Sequence, residues 1–169
     1  MATVTNTAPT AGDAHKHAGE STTTVHHGLL VDVDGTFDTA DLAQDQNGRF
    51  AGAIRKHLGC RMCDVVEVTD EIDMWIDDEG IADFGDVDEV NAALNPLATL
   101  LIADHRPVYQ PYFGAVLFTS RDGERTVGLN DEQLRTLREK AEHLAANPRH
   151  LEALRHRVIA AVTAAARSQ

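Results

Sequence analysis

The chain has 169 residues, a formal net charge of −12 and 43% hydrophobic residues. A chain of this length can bury roughly 70% of its unfolded surface, so its core needs no disulfide staples. No apolar run approaches the roughly 18 residues of a membrane span. The acidic charge also disfavours direct nucleic-acid binding, because phosphates are repelled. We therefore expect a compact acidic protein with neither a membrane nor a nucleic acid as its partner.

The first 27 residues are rich in Thr, Ala, Ser, Gly and His and contain almost no large apolar side chain. Such a segment cannot bury enough surface to offset the entropy lost on ordering, so we predict a disordered tail over 1–27. It lacks the basic start and apolar stretch of a signal peptide, which predicts a cytoplasmic protein. Beyond the tail we predict an α+β domain over 28–137 and a C-terminal helical extension over 138–169.

The middle of the chain alternates strand and helix signals. Residues 29–33 form a short β-like run that ends in an Asp-Gly turn, and residues 50–58 place their apolar side chains on one helix face. Residues 65–68 and 72–76 read as two strands of a hairpin that turns through the polar residues 69–71. These signals predict a small mixed or antiparallel sheet with flanking helices.

Helix starts are marked in the second half of the chain. An Asn-Pro pair, typical of an N-cap followed by the first helical residue, occurs at 95–96 and again at 147–148. Asn130 and Gln133 have the spacing of a capping box, and 113–119 reads as a strand. The last two helices predict a C-terminal helical hairpin. Its apolar face either packs on its own domain or forms a homodimer.

Two carboxylates follow the first strand. The segment 30–36 resembles the nucleophile motif of haloacid dehalogenase phosphatases, in which the first Asp attacks phosphorus and the second acts as acid and base beside Mg²⁺. Asp32 and Asp34 hold these positions. However, the next strand ending in Ser or Thr is missing from the following twenty or so residues. A Mg²⁺-dependent phosphoryl hydrolase is thus one alternative, and a plain Asp-Gly hairpin turn is the other reading.

A second constellation is His57, Cys60 and Cys63, which are spaced three and three. Imidazole and thiolates are zinc ligands, but a structural zinc site needs four, and the fourth would come from a distant residue such as His105. The simpler interpretation is that both cysteines are small buried hydrophobic residues. A zinc-stabilised structural domain is therefore a further alternative, and otherwise we expect no cofactor.

Acidic residues are concentrated in one stretch. Between Asp64 and Glu89 there are twelve of them, with no intervening Lys or Arg, and no EF-hand spacing for Ca²⁺. Such density costs self-repulsion unless something basic lies nearby, so we predict a surface that binds a protein partner; a solvated acidic face is the plain alternative. Its predicted binding residues are Asp70, Glu71, Asp73, Trp75, Asp77, Asp78 and Glu79.

Trp75 lies on the polar side of its predicted strand. We expect the C-terminal helices to cover the indole. The alternative is an exposed anchor for a partner, because an indole combines a large apolar surface with a polar N–H.

The order of these segments resembles the domain of unknown function numbered 3846. The resemblance spans about 29–137 and rests on the segments 34–36, 50–58, 65–68, 74–80, 95–101, 114–118 and 128–133. It implies a small α+β domain of bacteria, archaea and phages, often carried on mobile elements, without established activity or known catalytic residues. It also implies that 34–36 is a turn. The chain departs from the pattern by its long tail, an acidic insert near 82–92 and the final helix from Pro148.

Taken together, these features predict a non-catalytic accessory protein. We expect it to bind an unidentified protein partner through the acidic surface from Asp70 to Glu89, as an accessory factor of a mobile element. We expect this accessory role to be either to oppose a defence system or to mimic the charge of a nucleic-acid backbone.

Overall fold

The computed structural model describes residues 25–79, 86–108 and 110–166. Most of the predicted tail, residues 1–24, lies outside the described residues. The first strand begins at His26, so the last two residues of the range predicted as tail belong to the sheet.

Six strands and five helices make up the described chain. In order they are β1 (His26–Val31), β2 (Phe37–Leu42), α1 (Ala51–Leu58), β3 (Cys63–Glu67), β4 (Ile72–Asp77), α2 (Val87–Ala93), α3 (Pro96–Ala103), β5 (Val116–Asp122), β6 (Arg125–Val127), α4 (Asp131–Ala145) and α5 (Pro148–Ala166). The strands form one sheet in the order β2-β1-β5-β4-β3, with β6 pairing the end of β5. Every pairing is antiparallel. The predicted α+β architecture is confirmed.

The two faces of the sheet carry two hydrophobic clusters. Helices α3 and α4 lie against one face, where the fully buried Leu29, Met74 and Phe118 pack with Leu101 and Ile102 of α3, and α5 packs on these helices. Helix α1 lies against the opposite face. Its cluster consists of Ala40, Leu42, Phe50, Ile54 and Leu117. Because α1 has only eight residues, it covers part of this face and leaves the β3–β4 side beside it open.

Asn95 joins the helical layer to the sheet. Its side chain caps α3 by accepting the Ala98 N–H at 3.0 Å. Its amide nitrogen donates to the carbonyl of Val31 at 3.1 Å and to that of Gly114 at 2.9 Å. The Asn-Pro helix start predicted here is confirmed, and its fully buried amide also ties β1 to the loop before β5.

Both predicted features of the C-terminal hairpin are present. Asn130 and Gln133 form a reciprocal capping box at the start of α4, and α5 begins at Pro148. The boundary predicted at 137–138 falls inside α4.

Two elements were not predicted. In strand β2, Ala40 and Leu42 are buried whereas Asp38 and Asp41 are exposed, and these two acidic residues hide the strand signal. Helix α2 lies in the predicted acidic insert, where Asp86 caps it by accepting the N–H groups of Asp88 and Glu89, both at 2.9 Å. An Asp N-cap followed by acidic residues in the first turn is a helix-start signal that could have identified it.

Candidate functional site

The β3–β4 hairpin forms one edge of the sheet, with β3 outermost. We call residues 62–79 the acidic hairpin. They contain eight carboxylates and no Lys or Arg: Asp64, Glu67, Asp70, Glu71, Asp73, Asp77, Asp78 and Glu79. The predicted hairpin is confirmed, and its position at the sheet edge concentrates this charge at one side of the domain.

Two arginines from outside the hairpin neutralise part of this charge. Arg121 on β5 pairs with Glu67, lies 3.7 Å from the Asp73 carboxylate and donates to the Asp70 carbonyl at 2.9 Å. Arg61 pairs with Glu79 at 3.1 Å. Within the described ranges, no Lys or Arg forms an ion pair with the remaining carboxylates, which are Asp64, Asp70, Glu71, Asp77 and Asp78.

The seven predicted binding residues all lie along β4 and its two ends. Asp70 and Glu71 are exposed at the hairpin turn, and Asp78 and Glu79 are exposed at the opposite end. Trp75 and Asp77 are half-buried on the strand between them. The structure thus brings the seven together as one row, of which six reach the surface.

Asp73 is the exception, because only 7% of it is exposed. Burial raises the pKa of its carboxyl, while the Arg121 guanidinium and Glu67 act in opposite directions on that pKa. Its place on β4 is opposite Thr119 of β5, in the interior of the sheet face. Asp73 therefore lies beneath the Arg121 guanidinium on the sheet face, and it is too buried to contact a partner itself.

Trp75 faces the α1 side of the sheet. Met74 and Ile76 on the same strand pack into the cluster under α3 and α4, and strand alternation turns Trp75 the opposite way. The expected cover by the C-terminal helices is therefore wrong. The indole Nε1 instead donates to the Thr119 hydroxyl at 2.9 Å, and one edge of the ring packs beside the α1 cluster.

The other edge of the Trp75 ring borders two cavities of about 290 and 490 Å³. Both are also lined by Glu124 and Thr126. The smaller cavity extends to Val65 and Glu67 on β3, and the larger one extends toward α1. On the uncovered part of this face, the acidic hairpin therefore presents an indole as well as carboxylates.

Asp32 and Asp34 lie in the tight turn of the β1–β2 hairpin. The Asp34 carboxylate accepts the N–H of Thr36 at 2.8 Å and its hydroxyl at 2.6 Å, and both bonds lower the pKa of Asp34. Gly35 has φ of 84°, the left-handed conformation that this turn requires. The antiparallel hairpin leaves no parallel strand end of the kind that the phosphatase reading needs. The two carboxylates belong to a turn, as the family resemblance implied.

His57, Cys60 and Cys63 do not form a ligand set. The His57 ring nitrogen Nε2 contacts the Asp41 carbonyl of β2 at 2.9 Å. Burial raises the pKa of both thiols, and Asp77 adds to the effect, so the protonated form is favoured at neutral pH. Across 25–79, 86–108 and 110–166, no group of three His, Cys, Asp or Glu side chains is arranged to hold a metal ion. The zinc alternative has no support in this geometry.

The C-terminal helices form a different kind of surface. A cavity of about 450 Å³ between α3 and α5 is lined mainly by apolar side chains, among them Leu100, Val108, Leu154 and Val158. The homodimer that the apolar helix face suggested stays a prediction. None of the helices in the described chain combines the length and apolar character needed to cross a membrane.

Comparisons with known proteins give one match. A family model described as "Domain of unknown function (DUF3846)" matches residues 25–142, from the start of β1 to the last turn of α4. No curated protein and no solved structure matches the chain. The matched range includes the whole sheet and the acidic hairpin, and it leaves α5 outside.

Proposed function

Since the chain belongs to the DUF3846 family, whose function is unknown, we propose its role from its own surface: the acidic hairpin binds a protein partner that presents a basic surface. The observation that carries this proposal is a group of five carboxylates at the sheet edge that form no ion pair with any Lys or Arg of the described chain: Asp64, Asp70, Glu71, Asp77 and Asp78.

Charge complementarity of this kind mainly increases the association rate and the specificity of a complex. Like charges placed together raise the energy of the free surface, and a cationic partner relieves that repulsion. Exposed pairs are screened by salt over a Debye length of about 8 Å at physiological ionic strength. The complex we propose is therefore sensitive to salt, and its rate of formation falls steeply as salt rises.

Trp75 supplies an apolar contact beside these charges. Buried indoles contribute disproportionately to binding at protein interfaces, because they combine a large contact area with few rotatable bonds. The half-buried ring is already fixed by its bond to Thr119, so it loses little conformational freedom on binding. An accessory role in a mobile element, with mimicry of nucleic-acid charge as one form, is the context that we propose for this interaction.

The test compares two charge reversals of equal size. Asp70→Lys with Asp78→Lys changes two exposed carboxylates at the ends of β4, whereas Glu142→Lys with Glu152→Lys changes two exposed carboxylates on α4 and α5. A partner is captured from nuclease-treated lysate with the unaltered chain, purified, and titrated against each variant at low and high salt.

We expect the Asp70 and Asp78 reversal to weaken binding at least tenfold, or about 1.4 kcal/mol. The Glu142 and Glu152 reversal should bind like the unaltered chain. Equal affinity for both variants, with no effect of salt, would refute the role of the acidic hairpin.

A further inference from the structure

The outermost strand β3 has one edge that no described strand pairs with. We propose that the partner adds an extended segment of its own chain to this edge, as a new strand beside β3. The inference rests on the proposed function and specifies how the basic partner is held. Strand addition gives affinity through main-chain hydrogen bonds and specificity through the side chains on each face.

Backbone contacts show which residues of β3 turn their polar groups outward. The Val68 N–H donates to the Ile72 carbonyl at 2.9 Å, and the Met62 carbonyl accepts the Asp78 N–H at 3.2 Å. The backbone N–H and C=O groups of the even-numbered residues of this strand therefore point toward β4. Since the direction of these groups alternates along an antiparallel strand, the N–H and C=O groups of Cys63, Val65 and Glu67 point away from β4, toward the open edge.

Two side chains already occupy part of this outward row. The Arg106 guanidinium donates to the Glu67 carbonyl, which occupies one outward acceptor at the end of the strand nearest the hairpin turn. The Asp64 carboxylate accepts the Val65 N–H at 2.7 Å. An incoming strand replaces that local contact with a main-chain bond, and it releases the Asp64 carboxylate to face a cation of the partner.

The apolar side chains exposed at this edge are a separate observation. In the described chain, the large hydrophobic residues that are exposed are Val25 at 56%, Met62 at 57% and Val65 at 43%. Two of these three lie on β3 or immediately before it. Natural proteins usually protect sheet edges from pairing, so exposed apolar residues on an edge strand indicate a surface meant for contact.

The opposite edge, β2, has a different surface. The Asp41 carbonyl there is held by the His57 ring at 2.9 Å, and Arg138 donates to the Thr39 hydroxyl at 3.0 Å. None of the exposed large hydrophobic residues lies on β2. Strand addition is therefore favoured at β3, and β2 provides an internal control.

The pattern of side chains on β3 specifies the partner's segment. Val65 and Glu67 lie on the α1 face of the sheet, and alternation places Met62 and Asp64 on the other face. An antiparallel neighbour sets its side chains directly opposite these four. The matching segment begins opposite Glu67 and ends opposite Met62. In that order it has a cationic residue, any residue, an apolar residue, a second cationic residue, any residue and a second apolar residue. A second copy of β3 would instead bring further carboxylates to the same place, so the partner is not this chain.

The probe is a capped peptide, Arg-Thr-Val-Arg-Thr-Val, titrated against the full chain by Trp75 fluorescence and by amide hydrogen exchange. We expect the bound peptide to slow exchange at the Cys63 and Val65 amides. Val65→Pro removes an outward N–H without touching the ladder to β4, so it should weaken binding at least tenfold. Thr39→Pro, which removes an outward N–H from β2, should leave the affinity unchanged.

A second measurement does not depend on the folding of a proline variant. Peptides N-methylated at the residues that face β3 keep their charge and lose their main-chain donors, and we expect them to bind at least tenfold more weakly. Strand addition is overturned if they bind as well as the parent peptide, or if a scrambled peptide does. It is also overturned if the parent peptide does not bind. The electrostatic role of the acidic hairpin is decided separately, by the titration of the captured partner.

Discussion

The indole of Trp75 and the hydroxyl of Thr119 are joined by a hydrogen bond of 2.9 Å across neighbouring strands β4 and β5. Thr119 is completely buried, so its hydroxyl has a fixed direction. The bond therefore holds the ring at the border between the α1 cluster and the open cavities beside the acidic hairpin. This one contact therefore fixes the orientation of the Trp75 ring, which we propose as an anchor for the partner.

Thr119→Val tests that relationship directly. Valine keeps the shape of threonine and removes the acceptor, so the indole N–H loses its partner at a cost of about 1 to 3 kcal/mol. The released ring can turn toward the cavities. Since Trp75 is the single tryptophan of the chain, we expect a red shift of the emission maximum and stronger quenching by acrylamide. Thr126→Val, which removes a hydroxyl from the same cavities, is the control; an unchanged Thr119→Val spectrum would show that the bond does not hold the ring.

Asn95→Ala should destabilise the fold more than removal of an ordinary helix cap. The substitution removes the cap of α3 and also the donor to the carbonyls of Val31 and Gly114. Loss of a cap costs about 0.5 to 2 kcal/mol, and each buried group left unsatisfied adds about 1 to 3 kcal/mol. Together these terms predict a loss of at least about 2.5 kcal/mol in the free energy of unfolding, measured by urea denaturation.

Asn130→Ala is the matched comparison, because Asn130 caps α4 from an exposed position and its side chain satisfies a backbone N–H of that helix. It should cost only about 1 kcal/mol. Equal losses for the two variants would mean that the amide of Asn95 contributes nothing beyond the cap.

Local signals in the sequence were enough to predict most of the elements. The Asn-Pro pairs, the Asn130 capping box and the polar turn at 69–71 each depend on residues within one or two turns of chain. Strand β2 was missed because Asp38 and Asp41 break its apolar run, and because apolar and polar residues alternate only over its last three residues, 40–42. Signals of this range determine where an element starts, and they carry no information about its neighbours.

The candidate site depended on long-range order, which is why it was only partly predicted. The charge of the acidic hairpin is visible in the sequence. Its location at a sheet edge follows from the strand order β2-β1-β5-β4-β3, which pairs strands far apart in the chain. The prediction that the C-terminal helices cover Trp75 was wrong because it too depended on long-range packing. Strand alternation places Trp75 and Met74 on opposite faces of the sheet, but it does not show which helices pack on each face.

Asp73→Asn should change the pH dependence of stability in a defined direction. Burial raises the pKa of the Asp73 carboxyl in the folded chain, with Arg121 only partly opposing it. The folded state therefore binds this proton more tightly than the unfolded state. The associated stability is present at low pH and is lost as pH rises from the ordinary value of 3.8 through the raised folded value.

Asparagine cannot ionise, so the variant does not lose this stability. We expect the melting temperature of Asp73→Asn, relative to the unaltered chain, to increase as pH is raised from 4 to 7. Asp70→Asn is the control, because it removes an exposed carboxylate from the same hairpin; we expect the increase with pH to be larger for Asp73→Asn than for this variant. A difference for Asp73→Asn that falls with rising pH would mean that Arg121 overcompensates the burial, and that the carboxylate, rather than the neutral acid, is the form that the fold stabilises.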